Sequence, residues 1–397
     1  MSFPDVALGD VITLQRGFDI TKEQQVEGSV PIVSSSGIAS FHNESKVRAP
    51  GVVIGRKGSL GTVHFLGEDF WPHDTTLWVK DFKGNDPRFI GYFLKTLRLE
   101  VFDTGSSNPT LNRNHVHKIK VQCPPPETQR KIAAILSAYD DLIANNQRRI
   151  ALLEGMAEEI YREWFVRMRF PGAANVEVEK GVPRGWSLVP TIEAFKYHGG
   201  ATPAKDVPRY WNQGSVHWYT PTDITGAEGM FIEASSERCT EEGLESCSAT
   251  LFPAYTVMMT SRATIGAIGI NLEPACTNQG FIACVPNEQY PLTFLYHWLK
   301  LAKPHFELLS GGSTFPELTK GTFRRIKVLT PPSSVMQSFD ATVKPLFAQI
   351  ETLIRANRRL KETRDALLPR LISGKLKVDH LDIRLPPSMR AEAEAVA

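Results

Sequence analysis

Apolar positions along this chain change their period and then repeat the whole scheme. Over residues 1–122 they come as short runs broken by glycine, proline and serine: Val30 to Val33, Val52 to Ile54, Thr62 to Phe65 and Thr76 to Val79. Such runs predict strands with turns between them. Pro87 to Lys95 then carries apolar residues at helical spacing. After Pro126 the spacing becomes alternating steps of four and three, through Ile132, Leu136, Tyr139, Ile143, Asn146, Ile150, Leu153, Ala157, Ile160 and Trp164. That is a coiled-coil seam. Strand-like runs return in 171–330, with a helical stretch at Pro291 to Leu299, and a second seam follows through Phe339, Val343, Leu346, Ile350, Leu353, Asn357, Leu360, Leu367 and Leu371. Arg364 falls off this pattern. Ser334 with Gln337 predicts a capping box at the start of the second helix, and Gly374 a stop. Each helix of about 40 residues would run about 60 Å at 1.5 Å per residue. With so narrow an apolar stripe, neither is stable without a partner.

The two halves match in sequence as well as in period. Lys118-Ile119-Lys120-Val121-Gln122-Cys123-Pro124-Pro125 lies against Arg325-Ile326-Lys327-Val328-Leu329-Thr330-Pro331-Pro332, and 105–113 lies against 312–320, both at an offset of 207. Val53 to Gly61 lies against Met258 to Gly266 at an offset of 205. Blocks that keep order and register over this distance mark a duplicated domain and helix. The expected organisation is a first globular domain over 1–122, a long helix within 123–170, a second globular domain over 171–330, a second long helix within 331–377 and a mobile tail over 378–397. Each domain is expected to be α+β, a curved sheet carrying a helix. From the proline pair to the Leu-Ile dipeptide is 17 residues in the first helix and 21 in the second. The difference is about one helical turn, which alters length with little rotation of the apolar face.

Composition adds bounds. At 397 residues, 42% hydrophobic and 22% charged, the chain reads as an ordinary globular protein able to bury more than one core. No apolar run suits a membrane span and the N-terminus lacks a signal-peptide pattern, so a cytoplasmic protein is expected. Five cysteines without a C-x-x-C pair argue against a zinc site or a disulfide framework. A net charge of +2 neither demands nor excludes a polyanionic partner. Gly55 to Gly61 lacks P-loop spacing, and no glycine-rich cofactor loop, aminomethyltransferase motif or H-E-x-x-H pattern occurs. His115 and His117, taken as alternate residues of a strand, are a weak metal pair. No catalytic residue, metal or cofactor is expected.

A domain of broken strands, a Gly-Ser segment before an Ile-Lys-Val strand, a proline pair and a long helix, all duplicated, resembles the specificity subunit of Type I restriction-modification systems. The resemblance runs from Leu8-Gly9-Asp10 to about Lys377. It includes Val182-Pro183-Arg184-Gly185-Trp186, Pro208-Arg209-Tyr210-Trp211 with Val216-His217-Trp218, and Leu368-Pro369-Arg370-Leu371-Ile372-Ser373-Gly374. It implies two target-recognition domains, each reading one half of a split DNA site. It also implies two helices paired antiparallel, in a pseudo-twofold arrangement, which set the half-site spacing and dock adenine methyltransferase subunits. A translocating restriction subunit joins the complex, and the specificity subunit itself has no catalytic activity.

Base readout needs donors and acceptors at base edges, with cations on phosphates. The first-domain candidates are Ser34, Ser35, Arg56, Lys57, Ser59, His73, Thr75, Asn108 and Arg113. Their second-domain equivalents are Thr220, Thr222, Ser261, Arg262, Thr264, Asn278, Gln279, Ser313 and Lys320. In both halves a basic residue and small polar residues occupy a glycine-flanked turn, where backbone can approach a phosphate closely. Trp71, Trp78, Trp211 and Trp218 are expected in the core. Helix pairing and partner docking fall to Ile132, Leu136, Ile143, Asn146, Ile150, Leu153, Ile350, Leu353, Asn357, Leu360 and Leu367. A competing reading of the same duplication is a two-headed adaptor for protein or glycan ligands with a structural coiled coil.

Overall fold

A computed structural model describes residues 3–102, 110–179, 181–311 and 316–390. The chain divides into two compact units, Met1–Asn145 with Arg358–Ala397, and Asn146–Asn357.

In the first unit, Gly51–Gly55 is buried along its whole length, because the run Gly-Val-Val-Ile-Gly has neighbours on both faces. It lies inside a four-stranded sheet ordered Thr13–Arg16, Thr76–Asp81, Gly51–Gly55, Val63–Leu66, all antiparallel. A second sheet sets Val30–Ser34 between Gly37–His42 and Trp71–Pro72, the latter pair parallel. Helix Pro87–Lys95 starts with Asp86 accepting from the Phe89 N–H at 2.9 Å, and its Phe89 and Phe93 rings stack in the core. Asp5–Ala7 pairs with Lys120–Gln122, which brings the domain's two ends together where the first long helix begins.

The second unit repeats every strand of this scheme and adds others. Its main sheet is ordered Tyr197–Gly199, Phe281–Cys284, Val257–Thr260, Ile268–Asn271, with Phe231–Ile232 added at the edge. The smaller sheet sets Val216–Tyr219 between Glu237–Cys239 and Ala275–Thr277, again with the last pair parallel. Ser187–Pro190 pairs with Lys327–Thr330, and Leu292–Leu301 is the counterpart helix. Trp71, Trp78 and Trp218 are buried, and Trp211 is half-buried against Trp218.

The long helices are Pro126–Tyr161, closed by one π turn over Arg162–Val166, and Ser333–Ile372. Each contributes to both units. In the first unit Ile132 and Leu136 share a core with Leu371 and Ile372. Arg364, the residue out of heptad register, binds Asp140, which also accepts from the Tyr92 hydroxyl. In the second unit Tyr161, Trp164 and Phe165 surround Phe339, with ring centroids 4.8 to 5.9 Å apart. Asn146 Nδ2 donates to Asn357 Oδ1 at 2.9 Å, and Asn357 is buried. In each unit early residues of one helix therefore meet late residues of the other, an antiparallel pairing.

Three local expectations need correction. The second long helix begins at Ser333, which places Ser334 inside its first turn, and Ser333 Oγ donates to Gln289 Oε1 at 2.7 Å; no Ser334 and Gln337 box forms. His115 lies in the short helix Arg113–Val116, and His117 caps it and accepts the Leu14 N–H on Nε2 at 2.9 Å, so the pair does not share a strand. Residues 378–390 pack on the first unit instead of forming a free tail. Val378 and Met389 enter its core, and the Thr128 hydroxyl and Lys131 ammonium each donate to Asp379 at 2.6 Å. Residues 391–397 lie outside the described ones. Gly374 does end the second helix: it adopts φ +70° and returns its N–H to the Leu371 carbonyl at 3.1 Å.

Candidate nucleic-acid interface

The duplication is sharpest in a cradle that each domain builds from three chain segments. In the first domain the turn after Gly51–Gly55 closes when Gly55 N–H reaches Thr62 O at 2.8 Å and Gly61 N–H reaches Gly55 O at 2.9 Å. Gly58 and Gly61 take φ values of +73° and +72°, a region that glycine enters without cost. The second domain repeats both bonds, Thr260 to Ala267 at 2.8 Å and Gly266 to Thr260 at 2.9 Å. Ala263 stands at the Gly58 position with φ +58°, and Gly266 at the Gly61 position with φ +78°.

Two further segments cross this turn. The Thr75 carbonyl accepts from Arg56 N–H at 2.9 Å and Lys57 N–H at 3.0 Å, while Arg56 O accepts from Leu111 N–H at 2.9 Å. Correspondingly Gly280 O accepts from Ser261 N–H at 2.8 Å, and Ser261 O from Leu318 N–H at 2.9 Å. Each third segment then starts a short helix, Arg113–Val116 capped by Asn112 and Lys320–Phe323 capped by Thr319. Sequence-distant residues are thereby brought to one surface on the same backbone.

Side chains differ where backbone does not. Asp74 stands at the centre of the first cradle, with Arg16 Nη2 on its Oδ2 at 2.8 Å, His73 Nδ1 on its Oδ1 at 3.2 Å and Lys57 Nζ at 4.0 Å. Burial works against the Asp74 carboxylate, but the Arg16 hydrogen bond and the charges of His73 and Lys57 outweigh it and hold its pKa below the ordinary value. Burial, and next the neighbouring Arg16, pull the Arg56 pKa down. A cavity of about 300 Å³ opens here between Arg16, Arg56, Asn112, Arg113 and Asn114. In the second cradle Thr202 Oγ1 donates to Gln279 Oε1 at 2.8 Å, and Arg262 Nε bonds Glu317 Oε1 at 2.8 Å. The Lys320 ammonium occupies the space a side chain at Gly199 would need. Burial, then Lys196 and Lys320, lower the His198 pKa.

Of the residues singled out from sequence, Arg56, Lys57, His73, Thr75 and Arg113 meet in the first cradle. Ser261, Arg262, Asn278, Gln279 and Lys320 meet in the second. Ser35 adjoins the first, because its carbonyl accepts the Thr62 hydroxyl and its Oγ faces Gly58. Ser34 spends its hydroxyl on Ser36 and Gly37 in the hairpin. Ser59 and Thr264 are exposed on the turns, whereas Ser261 is buried and joins the cradle through its backbone N–H and carbonyl. Thr220 and Thr222 start the helix Pro221–Thr225, and Thr220 bonds Asp223 at 2.7 Å through both N–H and hydroxyl. Asn108 and Ser313 lie outside the described residues. Asp74 lies within the candidate loop His73-Asp74-Thr75-Thr76, but Arg16 carried no motif of its own; the trace it leaves is the glycine pair Gly17 and Gly200, where any Cβ would strike the carbonyl oxygen of His73 or Thr277 at 2.1 and 2.0 Å. Ile132, Leu136, Ile143, Ile150, Ile350 and Leu353 are buried, and Leu153, Leu360 and Leu367 half-buried, so these positions serve packing within the chain.

Among the described residues no helix is long and apolar enough to cross a membrane. Residues 3–155 and 183–361 match the Type I restriction modification DNA specificity domain. A Type I restriction enzyme MjaIX specificity subunit of Methanocaldococcus jannaschii is 27% identical over 308 residues, spanning 74% of this chain and 70% of the relative. The HindI specificity subunit of Haemophilus influenzae is 24% identical, spanning 68% and 71% respectively. A crystal structure of a Type I system S subunit from M. genitalium superposes with a TM-score of 0.61 at 17% identity, covering 93% of this chain and 96% of that one. That likeness concerns the fold.

Proposed function

Because this chain belongs to the family defined by the Type I restriction-modification DNA specificity domain, we propose that it is the non-catalytic sequence-reading subunit of such a system, acting in the cytoplasm. Each domain reads one half of a two-part duplex site. The paired helices set the separation of the halves and provide the seat for modification subunits that methylate adenine; a restriction subunit completes the assembly. The observation that carries this reading is the duplicated cradle, which shares four backbone hydrogen bonds at matching positions but differs in side chains, as expected of a common scaffold with two reading surfaces.

Within the cradles, Arg56, Lys57, Arg113, Arg262 and Lys320 contact phosphates, and His73, Thr75, Asn278 and Gln279 face base edges. Binding then weakens steeply with salt, as counterions released by the phosphate contacts are recaptured. Family membership leaves the adaptor reading without a supporting observation. The test is to map methylated adenines in a host carrying this chain with its modification subunits. Two short motifs at constant separation support the proposal, and methylation that ignores the chain's presence refutes it.

A further inference from the structure

We propose that Asp74 and Gln279, which occupy equivalent positions in the two cradles, make the two half-sites chemically different; this rests on the reading given above. The equivalence follows from strand register. Thr76 pairs with Gly55 in the first domain and Phe281 with Thr260 in the second, and each candidate stands two residues earlier on its strand's approach. Arg16 pairs with Leu77 and Gly199 with Ile282, so they too correspond.

A carboxylate and an amide at one position impose different demands. Asp74 only accepts hydrogen bonds; Arg16 Nη2 holds its Oδ2 at 2.8 Å, and the His73 ring, whose Nδ1 accepts the Thr75 N–H at 3.4 Å, lies 3.2 Å from Oδ1. Oδ2 also faces Lys57 Nζ at 4.0 Å, while Oδ1 keeps a lone pair for an outside donor. An exocyclic amine suits it, and cytosine N4 is the base-edge amine that carboxylates accept from in the major groove. A guanine or thymine carbonyl there would meet a negative charge. Gln279 is exposed, and the Thr202 hydroxyl at 2.8 Å anchors its Oε1, which leaves Nε2 as a donor and Oε1 with one lone pair. That donor and acceptor pair suits adenine N7 and N6. Arg16, absent from the second cradle because the position is Gly199, belongs to the acidic arrangement: it holds the Asp74 carboxylate ionised and in place.

The experiment compares methylated-adenine maps for the unaltered chain, Asp74→Asn and Gln279→Glu, each expressed with its modification subunits. Asp74→Asn keeps shape and adds a donor. It is expected to relax one position of one half-site, raising methylation at sites with a changed base roughly 10- to 100-fold relative to the unaltered chain, the usual scale of one good base contact. The other half-site stays the same and shows that the chain is folded. Gln279→Glu is expected to change one position of the opposite half. Identical motifs for all three chains overturn the inference, as does a variant altered in both halves. Should Asp74→Asn abolish methylation, Gln279→Glu at its exposed position decides, and an unchanged second half or a total loss there overturns it too. If the unaltered chain marks no two-part motif at all, the reading of the protein fails independently of these residues.

Discussion

Acid should loosen the second unit through one buried ring. His297 lies in helix Leu292–Leu301, is 1% exposed, and stacks on Tyr161 at 5.5 Å with Tyr296 and Phe347 rings at 5.4 and 5.6 Å. Its Nδ1–H donates to the Thr293 carbonyl at 2.6 Å. Burial, aided by Lys300 and opposed by the Thr293 carbonyl and Glu158, pushes its pKa from 6.5 down to about 4. The folded ring thus resists a proton that the unfolded chain accepts readily, so its contribution is present above pH 6.5 and is lost as pH falls toward 4. At about 1.4 kcal/mol per pH unit, the loss approaches roughly 3 kcal/mol at its limit and about 2 kcal/mol between pH 8 and 5. The assay is urea unfolding of the full chain followed by tryptophan fluorescence from pH 8 to 5, comparing it with His297→Phe, which keeps a ring on Tyr161 and cannot titrate. Carboxylates common to both chains cancel in the comparison. The variant should lose about 2 kcal/mol less than the parent over this range. Equal pH dependence in the two chains would refute the reasoning.

Ala263→Gly, which frees the left-handed φ of +58° at the Gly58-equivalent position, is expected to stabilise the second unit by up to about 1 kcal/mol in thermal unfolding; a lower melting temperature would count against strain at that turn. Lys57→Gln should weaken binding to every duplex alike and shrink the slope of log affinity against log salt by about 0.9; a sequence-selective loss would instead place Lys57 on a base. Inserting one heptad between Ile143 and Ile150 and another between Leu353 and Leu360 adds about 10 Å of helix, or about three base pairs at 3.4 Å each. The gap in the methylated motif should lengthen accordingly while both half-sites persist, and an unchanged gap would remove the helices from spacing.

The duplication, the strand runs, the helices at Pro87 and Pro291 and both seams were legible along the chain, because periodicity and turn residues are local signals that burial enforces wherever they occur. Gly58, Gly61 and Gly374 were legible for the same reason, since a left-handed φ selects glycine on the spot. The turn Arg56 to Gly61 could be found, but not Asp74 as its centre, because Asp74 reaches Arg16 and Lys57 only after strands remote in sequence pair with Gly51–Gly55. Arg364 looked like a flaw in the heptads until Asp140 supplied its partner, and the tail looked free until Asp379 met Thr128 and Lys131. Secondary structure answers to neighbours a few residues away, so the amino-acid order settled it. Which charge faces which, and whether an exposed-looking polar residue is a reader or a brace, answers to neighbours across the sheet, and only closure of the chain brings those within hydrogen-bonding reach.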